Sequence, residues 1–181
     1  MPRLETDRLL LREIQPDDVD AIFNCWMRDD RVSRYVLWKA SSDIHEAEDF
    51  VEFELGNLEN DRWNRWMIVL KSTRKLIGTC LLFFNDEEDH WDISYNLGTQ
   101  FWDKGYMTEA MGAVMKYAVE EMRIKEIWSS YAEENPASGR VFEKLGFQFV
   151  KGILLVCSGG ERITKGILAH WKYLMFPERR I

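Results

Sequence analysis

Between His90 and Met122 the hydrophobic period of the chain changes once, and that change demands a strand, a tight loop and a helix in succession. His90 to Leu97 alternates, with Trp91, Ile93, Tyr95 and Leu97 on one side and Asp92, Ser94 and Asn96 on the other, the period of two of a β-strand. From Met107 onward the apolar residues recur at helical spacing: Ala110, Met111, Val114, Met115, Ala118, Val119 and Met122. The loop between them is bracketed by Gly98 and Gly105, which can take backbone angles closed to other residues. Such a loop turns successive N–H groups outward at a helix N-terminus, where the helix dipole favours an anion. Lys104 adds positive charge at the same place. Two readings stand: a pyrophosphate cradle, or a turn that uses glycine for geometry alone. The motif-level phosphate signatures do not decide between them, because neither G-x-x-x-x-G-K-[ST] nor G-x-G-x-x-G occurs in the chain.

The remaining pattern supplies a frame for this unit. Arg8 to Ile14 reads as a first strand. Pro16, Asp17 and Asp18 suit the first turn of a helix whose inner face is Val19, Ile22, Phe23 and Trp26. Arg31 to Ala40 has no period and reads as a loop. Asp43 and Glu46 suggest a capping box for a second helix, with Ile44, Ala47, Val51, Leu55 and Leu58 facing inward. Trp66 to Leu70 and Leu76 to Phe84 form a hairpin that a turn at Asn85 to Asp89 joins to the His90 strand. Glu126 to Ala132 is the next strand, completing a β-α-β crossover. Asn135 caps and Pro136 starts a further helix that Gly146 ends, with Val141, Phe142 and Leu145 inward. Phe147 to Val156 and Ile163 to Met175 are a terminal hairpin. The order β-α-α-β-β-β-α-β-α-β-β is that of an α+β chain without repeats or a splitting linker.

Composition narrows the function classes. A net charge of −7 argues against a nucleic-acid footprint, which wants basic patches; it suits a cationic substrate or mere solubility. Cys25, Cys80 and Cys157 are far apart and odd in number, so a disulfide framework or zinc site is not indicated, and His45, His90 and His170 share no ligand spacing. No apolar run long enough to span a bilayer and no signal peptide is seen, which predicts a cytoplasmic protein without membrane contact.

Two segments in register carry a resemblance. Trp102-Asp-Lys-Gly-Tyr-Met-Thr-Glu-Ala110 followed by Glu134-Asn-Pro-Ala-Ser-Gly-Arg-Val-Phe-Glu-Lys-Leu-Gly-Phe147 resembles the GNAT superfamily of acetyl-CoA-dependent N-acetyltransferases. The opening Leu4-Glu-Thr-Asp-Arg-Leu-Leu-Leu-Arg12 looks like the start of its RimJ/RimL-like branch, the ribosomal-protein N-terminal acetyltransferases and their relatives. The resemblance covers nearly the whole chain and is weakest across Val32 to Asn64. It implies one GNAT-like domain over residues 1–181, with a mixed central sheet of about seven strands, flanked by four helices and splayed between strands 4 and 5. It further implies acetyl transfer from acetyl-CoA, as co-substrate and without a metal, to a protein N-terminal or small primary amine. The transfer would be a direct attack in a ternary complex, by a monomer or homodimer.

By the same resemblance the cofactor is held by Tyr95, Asn96 and Leu97 on the splayed strand, by Trp102, Asp103, Lys104, Gly105, Tyr106, Met107 and Thr108 in the loop, and by Asn135 and Ser138 beyond it. The chain departs from the family pattern in places. Asp103 brings a negative charge where a further glycine is frequent, and Met107 stands where Gly or Ala is usual. Phe142 replaces a tyrosine that protonates the leaving thiolate, so Ser138 takes over or no protein acid is needed, since a thiol titrates near 8.5. Ser138 can equally be a hydrogen bond in the helix's first turn, and Asp92, the candidate base, can equally be a solvated strand residue. Glu133 and Glu134 are the alternative carboxylates. An ordinary aspartate titrates near 3.9, and so weak a base suits an α-amine near 8 better than a lysine near 10.4. Trp63 and Trp66 read as packing rather than acceptor-site walls. The competing functions are a polyamine or antibiotic acetyltransferase, which would want a cleft lined by several carboxylates, and a non-catalytic acyl-CoA-binding module.

Overall fold

In the computed structural model, which describes residues 1–173, five strands make one antiparallel sheet in sequence order. They are β1 (Leu4–Glu5), β2 (Leu9–Arg12), β3 (Trp63–Leu70), β4 (Lys75–Asn85) and β5 (His90–Leu97). A second sheet holds β6 (Glu126–Ala132), β7 (Gln148–Cys157) and β8 (Arg162–Lys172), with β8 in the middle. The helices are α1 (Val19–Ile22), continued by a wide turn over Phe23–Met27, then α2 (Asp30–Ser33), α3 (His45–Gly56), α4 (Tyr106–Glu120) and α5 (Pro136–Leu145).

The run Trp66-Met-Ile-Val-Leu70 is apolar throughout because β3 is buried on both faces. Trp66 and Ile68 join the core under α4, where Met107, Ala110, Met111, Val114 and Met115 form the buried stripe their spacing predicts. Met67 and Val69 face the other way, into a core with Ile22 of α1, Trp26 of the wide turn and Ala47 and Val51 of α3. Trp66 is fully buried and its indole N–H donates to the Pro2 carbonyl at 2.8 Å, so it packs as expected. Truncating it to alanine would cost about 3–5 kcal/mol.

The two sheets meet where β5 and β6 lie side by side without a backbone ladder. Across that gap the Ser129 hydroxyl donates to the Ile93 carbonyl at 3.1 Å. This is the expected splay, although the sheet region has eight strands, since β1 pairs with β2 through only two residues and carries no alternation to read. Three local expectations change. Asp30–Ser33 is helical inside the expected loop, because Asp29 caps it by accepting from the Arg31 N–H at 3.0 Å. The α3 capping box does not close: Asp43 accepts from the His45 N–H at 3.0 Å, but the Glu46 side chain does not return. The expected extension of the last strand to Met175 lies outside the described residues.

Candidate active site

The gap between β5 and β6 opens into a cleft of about 740 Å³ that runs from the first turns of α4 and α5 to the side chains of β3, β4 and α3. Twelve of the thirteen residues expected at the site line it: Asp92, Tyr95, Asn96, Leu97, Trp102, Asp103, Gly105, Tyr106, Met107, Thr108, Asn135 and Ser138. Lys104 does not. Its ammonium donates to the Gln100 carbonyl at 2.8 Å and leans toward the Phe101 ring, back along its own loop.

The loop end is built from backbone. Asp103 and Gly105 both take left-handed conformations, at φ 57° and 75°, and Gly105 is the N-cap of α4. Aspartate is one of the few side chains that tolerate this region, which explains why it can stand in a glycine's place. Among the described residues no side chain caps α4, so the N–H groups of Tyr106, Met107 and Thr108 point at the cleft without intrahelical acceptors. Met107 buries its side chain in the core under α4, so it does not obstruct the backbone. The charge of Asp103 is met by Arg140, 3.3 Å away, and Lys144 follows one turn later on the same face of α5. These two cations, not Lys104, supply the positive field. Their i, i+4 spacing after the Asn-Pro helix start was the available signal.

A second network fixes the loop from behind. The Glu109 carboxylate accepts from the Thr6 hydroxyl at 2.5 Å, from the Arg8 N–H at 2.9 Å and from Arg8 Nε at 2.6 Å. Arg8 also donates to the Lys104 carbonyl at 3.0 Å and stacks on the Tyr106 ring at 4.5 Å. The Thr-x-Arg of the opening motif thus holds the loop in place from the sheet edge.

Asp92 lies mid-cleft on β5. Burial pushes its carboxyl up to about 6, more than offsetting the neighbouring Ser129 hydroxyl, the Ile93 N–H, which donates to it at 2.6 Å, and the nearby His90, all of which favour the anion. Glu133 and Glu134 are exposed, and Glu134 is engaged by Arg162 and Thr164. At the start of α5, Asn135 Oδ1 accepts from the Ser138 N–H at 3.2 Å and Asn135 Nδ2 donates to Ser138 Oγ at 3.1 Å. The Ser138 oxygen is therefore an acceptor toward Asn135, and its own proton is left to donate elsewhere. The phenol of Tyr95, which burial pushes upward, donates to the Ser138 carbonyl at 3.5 Å.

The far end of the cleft is lined by side chains from scattered segments, Trp26, Tyr35, Trp38, Phe50, Trp63, Phe83 and Arg65, with the Arg65 guanidinium 5.3 Å from the Phe50 ring and 5.7 Å from the Trp63 ring. Trp63 is thus a cleft wall, contrary to the packing expected of it. Its neighbour Phe83 lies 5.5 Å away, ring to ring. Tyr35 to Trp38 roof this end and are tied to the β7–β8 turn by the Ser158 and Gly159 N–H groups, which donate to the Val36 and Leu37 carbonyls.

A glycine loop at a helix N-terminus that no described side chain caps, a splayed strand pair and a half-buried carboxylate on one cleft agree with the match of residues 8–148 to the acetyltransferase (GNAT) domain model. The chain belongs to the GNAT acetyltransferase family. An uncharacterized N-acetyltransferase of Bacillus subtilis, YoaA, is 32% identical over 149 residues, covering 81% of this chain and 83% of that protein. The uncharacterized N-acetyltransferase p20 of Bacillus licheniformis is 30% identical over 82% of this chain and 83% of its own length. The solved structure of RimL, a ribosomal L7/L12 alpha-N-protein acetyltransferase in complex with coenzyme A, superposes with a TM-score of 0.82 over 94% of this chain and 98% of that one, at 14% identity. The fold is therefore that of a GNAT N-acetyltransferase, and among the described residues of this one no helix is long and apolar enough to cross a membrane. In this GNAT chain Phe142 is buried between the rings of Tyr131 and Phe147, at 4.9 and 4.7 Å, where a phenol would have no water.

Proposed function

We propose that this GNAT enzyme transfers the acetyl group of acetyl-CoA to a primary amine of low pKa, a protein N-terminal α-amine or a small amine, by direct attack in a ternary complex. The observation that carries the reading is the β5–β6 opening, which brings Asp92 and Ser138 to the walls of one cleft next to an uncapped helix N-terminus. The N–H groups of Tyr106, Met107 and Thr108, with Arg140 and Lys144 beside them, suit the pyrophosphate, and the open strand edges suit the amide-bearing arm.

Asp92 takes the proton that the amine loses as its nitrogen bonds to the acetyl carbon. The carbon–sulfur bond breaks, and the Ser138 hydroxyl donates a hydrogen bond to the departing thiolate. With its carboxyl near 6 rather than 3.9, Asp92 is about a hundredfold stronger as a base than an ordinary aspartate, which narrows the gap to an α-amine near 8. A polyamine would call for several carboxylates. The cleft offers Asp92 and Asp103, and Asp103 is matched by Arg140, which weighs against that acceptor.

Titration calorimetry with acetyl-CoA, alongside free-thiol release with a panel of N-terminal peptides and small amines, tests the proposal. Binding with turnover on α-amines is expected. Binding with no turnover on any amine would leave a non-catalytic module, and absence of binding would overturn the cradle.

A further inference from the structure

Arg65 is the one cleft arginine whose side chain is both sequestered and incompletely engaged. Its Nε donates to Glu54 Oε1 at 2.6 Å, and the other Glu54 oxygen accepts from the Trp63 indole N–H at 2.9 Å. Glu54 is 3% exposed, so this carboxylate is wholly committed to orienting two cleft side chains. Among the described residues neither terminal nitrogen of Arg65 has a hydrogen-bond acceptor, and neither is sealed from the cleft. Arg31, by contrast, is occupied by Asp29 through Nε and a terminal nitrogen and by Thr99. Glu54 and the nearby Phe50 and Trp63 rings offset the charge, but a core staple would have no reason to leave the two terminal nitrogens on a cavity without an acceptor.

The sheet register places this fork relative to the base. Trp63, Phe83 and Asp92 are aligned across β3, β4 and β5, and Arg65, Leu81 and Ser94 form the next row on the same face. Two strand spacings and one pleat repeat put the Asp92 and Arg65 Cα atoms about 12 Å apart, with Phe83 and Leu81 as the floor between them. Once the two side chains reach inward, the remaining gap is one that a molecule of roughly dipeptide length bridges.

We infer that the acceptor carries an anionic group, a carboxylate or a phosphate, which pairs with the Arg65 fork while an apolar or aromatic body lies along Phe50, Trp63 and Phe83 and the amine reaches Asp92. The inference rests on the acetyl-transfer reading and names the substrate class for that site. Planar bidentate pairing is what an arginine offers such groups and a lysine does not. Of the two readings of the net charge it favours mere solubility: the chain is acidic, but this end of the cleft is marked by a cation.

Two matched pairs of α-amine acceptors test it: the dipeptide Ala-Phe against its C-terminal amide, and tyrosinamide against O-phosphotyrosinamide, each followed by thiol release. The expected result is a kcat/KM at least tenfold higher for the charged member of one pair, and the pair that responds distinguishes carboxylate from phosphate. The double variant Arg65→Met with Glu54→Gln, which leaves no orphaned carboxylate, should melt cooperatively and bring the two members within twofold, and Arg65→Lys should keep an intermediate preference. Equal kcat/KM for both members of both pairs in the natural protein, or an undiminished preference in the double variant, overturns the inference. Calorimetry with 3-phenylpropionate and 3-phenylpropanamide in the presence of coenzyme A needs no turnover. Binding of the acid alone, lost in the double variant, supports the anion site even if no amine is acetylated, whereas equal or absent binding of the two overturns it.

Discussion

The two ends of the cleft are made of different material. Under the proposed function the loop end works through backbone N–H groups of α4, held by Gly105 and by the Arg8–Glu109 clasp, with side chains only modulating the field. The end proposed for the acceptor is instead lined by side chains delivered by α3, β3, β4, β5 and the Tyr35 to Trp38 roof. A backbone site tolerates substitution, which is why Asp103 and Met107 can stand in unusual places without dismantling it. A side-chain site changes its ligand whenever one residue changes.

The sharpest test of this division is Asp92→Asn, a side-chain change between the two ends. Turnover should fall about a hundredfold to a thousandfold, while acetyl-CoA affinity measured by calorimetry stays within twofold. The ascending limb of kcat/KM near pH 6 should vanish with it. Stability should move the other way. The folded carboxyl keeps its proton to about pH 6 and the unfolded one releases it near 3.9. Between those values the folded state holds more protons, so folding weakens as pH rises through the window. Thermal melts of Asp92→Asn at pH 8 should therefore exceed those of the natural protein by about 1–3 kcal/mol, and the advantage should disappear below pH 4.

Gly105→Val examines the backbone end. A Cβ there meets nothing closer than the Arg8 guanidinium at 3.6 Å, so space is not the obstacle; the φ of 75° is. Strain of about 1–3 kcal/mol should either lower the melting temperature or relax the loop and weaken acetyl-CoA binding tenfold or more. Unchanged affinity in a variant whose melting temperature is also unchanged, the loop having relaxed, would mean that the loop is not the cradle. Ser138→Ala should cost about tenfold in kcat at saturating acetyl-CoA, the value of one hydrogen bond to a charged group, with little change in KM. Asp103→Gly is the gentlest probe. Removing an exposed charge near the cradle should tighten acetyl-CoA binding about threefold at low salt, with the gain fading as salt is added.

How much of this was legible follows the same division. The period change at Leu97 and the two caps, Gly105 and Asn135, are local, so the strand, the loop and both helix starts could be read residue by residue. So could the polar side of β5, because Asp92 and Ser94 make sense only beside water. Long-range pairing could not. Glu54 sits in an otherwise unremarkable acidic helix, and nothing local marks it as the partner of Arg65, eleven positions on. Trp63 reads as packing until the strand register turns it toward Phe83. Lys104 misleads for a related reason: sequence fixes that a cation is near the loop, while the ammonium's direction depends on the Gln100 carbonyl. The pKa of Asp92 is likewise a property of its surroundings.

The interruption between β5 and β6 leaves each strand with one laddered edge and one bare edge, bridged by the Ser129 hydroxyl. In deuterium-exchange terms the same two strands should carry two populations of amides. Those bonded to β4 and β8 open only with the global transition, while those facing the gap take up label as surface groups do. Occupation of the gap should slow the second population and leave the first alone. The middle of the sheet, ordinarily the last part of a β-structure to meet solvent, is in this protein among the first.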